Sequence, residues 1–113
     1  MREFWLNGEK WRMVRVGHSS PALVDRTGRL AFATTEPQSR LICVSNAIDG
    51  EALERVVVHE VSHAALVSFG LLEDVVRFAK PNSTVDAEEF VCGFVSECGG
   101  AIMSAAYEIT RPL

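Results

Sequence analysis

Residues 59–63 read His59-Glu60-Val61-Ser62-His63. Side chains four apart share one face of an α-helix, so this spacing lets two imidazoles aim a nitrogen each at one ion, while Glu60 projects about 100° around the axis beside them. Neutral imidazole is a common zinc ligand, and a catalytic zinc centre keeps three protein ligands and a water. The chemistry expected of such a group is hydrolytic. Zinc held by His59, His63 and one carboxylate would acidify water and polarise a carbonyl, and Glu60 would take the proton and return it to the leaving group. The rival reading is a pair of core histidines hydrogen-bonded to the backbone and to Glu60.

The flanks Val56, Val57, Val58, Val61, Ala64, Ala65, Leu66 and Val67 are apolar nearly all round the helix, which predicts a buried central helix. Burying imidazoles there without partners costs about 2 kcal/mol or more for each neutral group, and more for the carboxylate. A bound metal removes that cost.

The elements around this helix follow from periodicity and punctuation. Asp49 as N-cap, Glu51 and Glu54 near the positive end of the dipole and Gly70 as a stop predict the motif helix over 50–69. Leu71 to Ala79 read as a short helical or irregular piece ending at Lys80-Pro81-Asn82. Ser83 or Thr84 then caps a last helix running to about Glu108, with Asp86, Glu88 and Glu89 in its first turns. Ahead of the motif, Phe4-Trp5-Leu6, Asn7-Gly8 and the run Trp11, Met13, Val14, Val16 form the pattern of a hairpin with a type I′ turn, Phe4 facing Trp11. A short strand over Leu30 to Thr34 is broken by Thr35-Glu36-Pro37-Gln38-Ser39. Leu41 to Val44 form a fourth strand, ending at Ser45-Asn46, that suits either an exposed edge able to align an extended peptide or a central position. The fold class expected is α+β: a small N-terminal antiparallel sheet of about four strands, a central motif helix and a C-terminal helix.

With the preceding Arg55-Val56-Val57-Val58 and the downstream Glu88-Glu89-Phe90-Val91-Cys92-Gly93-Phe94-Val95, the motif resembles the zincin metallopeptidases, and most of all the small phage and prophage H-E-x-x-H proteins related to the ImmA/IrrE metallopeptidases. The match covers roughly residues 40–105, with Val91-Cys92 where that family carries an Ala-Asn pair. The resemblance implies a zincin-like fold, zinc, a gluzincin-type ligand set with a glutamate from a later helix, and hydrolysis of peptide or protein substrates such as phage repressors. His18 is the only histidine left, so a third histidine downstream of the motif is excluded and a carboxylate remains. Glu88 stands three and seven residues before Val91 and Val95, on the stripe expected to pack against the motif helix. Glu89 lies instead with Cys92, Gly93 and Ser96, whose small side chains allow close approach, and remains the alternative, with Asp86 behind both. Two other readings stay open: a phage-encoded binding or immunity module whose zinc is structural, and a metal-dependent hydrolase of something other than peptides.

Counting bounds what else the chain could be. At 113 residues it is expected to be one domain over 1–113, and 48% hydrophobic with 23% charged residues is the composition of a folded globular chain. A net charge of −4 with scattered Lys and Arg gives no basic footprint, so neither nucleic acid nor an acidic membrane is an expected partner. No run approaches the roughly 20 apolar residues of a bilayer span, and the N-terminus does not read as a signal peptide, so the expected location is the cytoplasm. No heptad or other symmetric signature sets an oligomeric state. His18, between Gly17 and Ser19-Ser20, reads as a solvated loop histidine, Tyr107 as a helix-end packing residue, and Phe90, Val91, Phe94, Val95, Cys98 and Ile102 as core.

Cys43, Cys92 and Cys98 make an odd set with no C-x-x-C pair and read as reduced core thiols. All three are expected to react as free thiols in anaerobically denatured protein. A count of one would overturn the reduced reading.

Overall fold

Asn7 and Gly8 make the first turn. Both adopt positive φ, 50° and 77°, as a type I′ turn requires, and they join β1 (Arg2–Leu6) to β2 (Glu9–Val16) as an antiparallel hairpin. Phe4 faces Trp11 with ring centroids 6.3 Å apart. The computed structural model to which these positions belong describes residues 1–80 and 84–111.

β3 (Ala33–Glu36) and β4 (Leu41–Ser45) are also antiparallel, joined through the turn at Pro37–Arg40, where Arg40 takes φ 49°. The sheet order is β1-β2-β4-β3, and β2 and β4 run parallel, Met13 beside Ile42 and Val14 beside Cys43. The sheet is therefore mixed, and the expectation of an antiparallel sheet is corrected at this pair. A parallel pair needs a long crossover, and residues 17–40 supply it. The expected strand is displaced as well: Leu30 makes only an isolated bridge with Val24, and the tight turn after Glu36 lets Thr35 and Glu36 pair with Ile42 and Leu41. β4 is central rather than an edge, in keeping with Ile42, Cys43 and Val44 being buried.

Of the three helices, α1 (Gly50–Ser68) and α3 (Thr84–Thr110) pack on the sheet and α2 (Leu72–Phe78) packs on α3. Asp49 holds the N-cap position of α1 in extended conformation without a side-chain hydrogen bond, and Arg15 pins the preceding loop by donating to the Ser45 and Ile48 carbonyls. At the other end Gly70 takes φ 69°, the Leu71 amide donates to the Leu66 carbonyl and the Gly70 amide to that of Val67, the double bond of a Schellman stop. Pro81, Asn82 and Ser83, expected to break and cap the chain between the last two helices, lie outside the described residues.

The core joins Phe4, Leu6, Trp11, Met13, Ile42 and Val44 of the sheet to Val57, Val61, Ala64 and Ala65 of α1 and to Cys98, Ile102, Ala105, Ala106 and Ile109 of α3. α1 is buried on one face only, so the expectation of burial all round is corrected: Glu54, Arg55 and His59 are exposed. α3 lies on α1 and β1 through its second half. Its Val91 and Val95 are 56% and 60% exposed, against the expectation that they are core, because the packed stripe runs instead through Phe94, Cys98, Ala101, Ile102 and Ala105. Cys92 is exposed rather than buried, and Tyr107 is exposed rather than packed. By length and composition α3 matches a bilayer span, yet its second half carries much of the core.

One polar contact ties hairpin to helix. The buried Trp11 Nε1 donates to Ser68 Oγ at 2.7 Å, and Asn7 Nδ2 donates to the Ser68 carbonyl at 2.9 Å. Ser68→Ala strands the indole N–H in the core and is expected to lower unfolding free energy by about 1–3 kcal/mol in urea titration. A change under about 0.5 kcal/mol, the range of an inert surface substitution, would show the bond to be dispensable.

Candidate metal centre

His59, Glu60 and His63 lie in the middle of α1, set there by the sequence that makes the helix. Val57, Val61, Ala64 and Ala65 turn its apolar face onto the sheet, which leaves Glu60 at the border of that face and both imidazoles on the open side. His59 is exposed, His63 half-buried, and Glu60 only 8% exposed. His59 therefore escapes the burial cost expected from its apolar neighbours, and His63 bears part of it. The carboxylate bears it too.

The two imidazoles are turned toward each other. Their Nε2 atoms are 3.2 Å apart with the rings edge to face, and Glu60 Oε2 lies 3.8 Å from His59 Nε2. Two nitrogens bound to one tetrahedral zinc at the usual bond length stand about 3.3 Å apart, so the pair already has the separation of two such ligands. At this distance one imidazole can donate its Nε2–H to the lone pair of the other, and a metal ion in place of that proton would draw on both lone pairs. Burial lowers the pKa of His63 first of all, against the pull of Glu60, and the neighbouring His59 and Arg26 lower it further. The neutral, metal-binding form of His63 is favoured as a result.

Glu60 is met from the sheet. Thr35 Oγ1 donates to Glu60 Oε1 at 2.7 Å and lies 3.3 Å from the Glu60 carbonyl. This satisfies one carboxylate oxygen and leaves the other facing the histidines. Thr35 was not singled out from the sequence, where it falls in a stretch that reads as a turn. The signal available was the alternation that puts Ala33 and Thr35 on one face of a strand. Arg26, whose charge reaches His63, sits in a turn closed by Asp25, whose carboxylate accepts from the Thr27 and Arg29 amides. The Thr27 hydroxyl first, and the Arg29 amide next, hold Asp25 below the usual carboxylate range. No feature of the sequence marked Arg26.

The expected third ligand is not brought to this group. Among the described residues, the cluster of His, Cys, Asp and Glu able to share an ion consists of His59, Glu60 and His63, with all ligand atoms within 4.8 Å. Glu88 is exposed, on the Val91 and Val95 side of α3 that faces away from the core. Glu89 and Asp86 instead line a groove of about 380 Å³ between α2 and α3, with Phe78, Phe90 and Phe94 as its aromatic wall. His18 is exposed, places Nδ1 3.0 Å from Ser45 Oγ and stacks on Phe32, outside the motif group.

A scan against protein-family models finds no match, and comparisons with curated proteins and with solved structures find no similar chain.

Proposed function

We propose that this chain is a zinc-dependent hydrolase of peptide bonds, with His59 and His63 as metal ligands and Glu60 as general base. The observation that carries the reading is the facing pair of Nε2 atoms at 3.2 Å beside a carboxylate with one oxygen tied and the other open. When bound, zinc supplies Lewis acidity and brings the pKa of a coordinated water near neutrality. Glu60 accepts the water proton at Oε2 and delivers it to the leaving amine, one carboxylate serving as base and then as acid.

A carboxylate from the start of α3 completes the ligand set, Glu88 in the first place and Glu89 in the second. α2 has no fully buried residue and α3 has none before Cys98, so the packing that opposes movement of this segment when an ion offers it a bond is that of half-buried side chains, Phe78, Phe90 and Phe94 chief among them. The substrate is an extended peptide segment. The strand suited to align it is β3, which is terminal in the sheet and touches Glu60, rather than the central β4.

Protein purified without chelators is expected to hold about one equivalent of zinc by elemental analysis, because a zinc held by three protein ligands survives gentle handling. His59→Ala and His63→Ala should lose it. Zinc content near zero, with no uptake on adding zinc, would overturn the site.

Glu60→Gln should keep zinc and the fold while losing hydrolysis of a mixed fluorogenic peptide library. Wild-type cleavage by that variant would remove Glu60 from the mechanism. Under mild chelation Glu88→Gln should release zinc faster than Glu89→Gln, and the reverse order would move the ligand by one residue.

A further inference from the structure

We propose that Thr35 is a positioning residue that couples the peptide-binding edge to the base: its hydroxyl fixes the Glu60 carboxylate while its main chain faces the open side of the sheet. The proposal rests on Glu60 being the base of a peptide hydrolase and adds the residue that orients it.

Two independent features of β3 meet at Thr35. The first is the hydrogen bond from Oγ1 to Glu60 Oε1 at 2.7 Å. A glutamate has three side-chain torsions, and a carboxylate at the border of an aliphatic helix face has few partners to hold it. With Oε1 accepting from Thr35, Oε2 is the oxygen left on the His59 side, at 3.8 Å from Nε2. A proton-accepting oxygen must sit within hydrogen-bond reach of the water it activates, and displacements near 1 Å cost up to about 100-fold in rate. One fixed donor on the far oxygen sets that distance.

The second feature is register. The Ser45 amide donates to the Phe32 carbonyl at 2.8 Å, and the pairing continues Ala33 with Val44, Thr34 with Cys43 and Thr35 with Ile42. Antiparallel strands alternate bonded and non-bonded pairs, so Phe32 and Thr34 turn their main-chain groups toward β4. Ala33 and Thr35 turn theirs outward, at the edge of the terminal strand that pairs with no other strand among the described residues. A peptide added there bonds the main chain of Thr35, the same residue whose side chain reaches Glu60 across the face of the sheet. The scissile bond and the base are thereby referred to a single point on the backbone.

The test compares wild type with Thr35→Val, which keeps the shape and loses the hydroxyl, and Thr35→Ser, which keeps the hydroxyl. Side-chain NMR couplings of Glu60 in the metal-free protein should report one rotamer in wild type and Thr35→Ser and averaging in Thr35→Val. With zinc-loaded protein and the fluorogenic peptide library, Thr35→Val should lower kcat on the order of 10- to 100-fold with KM little changed, and Thr35→Ser should restore kcat. Zinc content should be equal in all three. A single Glu60 rotamer and wild-type kcat in Thr35→Val would overturn the proposal, as would failure of Thr35→Ser to restore kcat. Should wild type leave the library uncut, the peptidase reading fails on that result, and the Glu60 rotamer alone decides whether Thr35 positions it. If Thr35→Val does not fold, Thr35→Ala and Thr35→Ser carry the same comparison.

Discussion

A carboxylate at the edge of an aliphatic helix face has to be met by a donor, and in this chain it is met by the last strand of the sheet. The rest of the arrangement follows from that contact. Glu60 can reach Thr35 only if α1 lies over the β3 side of the sheet, which leaves the β1 side for the second half of α3. The same rotation of α1 that presents Glu60 to β3 puts His59 and His63 one step further round, exposed and half-buried respectively and facing each other. Neighbouring aliphatic residues, Val57 and Val61 above all, hold the rotation, since turning the helix by one residue would expose them and bury the imidazoles.

What could be read from the sequence was what is local. The Asn7-Gly8 turn, the register of Phe4 against Trp11 and the Gly70 stop each depend on a few adjacent residues with a steric requirement of their own. The spacing of His59, Glu60 and His63 is local in the same sense, because helix geometry alone brings the three together. The parallel placement of β4 could not be read: nothing in Leu41-Ile42-Cys43-Val44 says whether one or both of its edges will be paired, and β2 is separated from it by the whole crossover. The contribution of Thr35 was hidden by the proximity of Pro37, which marks the turn but does not say that pairing runs up to it.

The long helix shows the opposite difficulty. α3 is apolar on more than one side, so periodicity leaves several stripes able to serve as the packed face, and the choice falls to its partners. Those partners take Phe94, Cys98, Ile102 and Ala105 and leave Val91 and Val95 outside. Any reading of which glutamate reaches α1 from that helix inherits this choice. The group on α1 is correspondingly better defined than the start of α3: His59, Glu60 and His63 are set by one helix and one strand, whereas α3 has no buried side chain before Cys98.

The parallel pairing of β2 with β4 has a consequence for the chain as it is made. During synthesis the hairpin is complete once Val16 has emerged, with Trp11 and Met13 on its inner face, yet the strand that fills the slot beside it is not available until Ser45. Throughout that interval β2 carries an open edge next to apolar side chains, the condition under which nascent chains pair with one another. Arg12 and Arg15 give that strand positive charge on both its faces while it waits, with Lys10 at its start offset by Glu3 of β1. In the finished molecule Arg15 is turned to a different use, holding the loop that leads from β4 into α1.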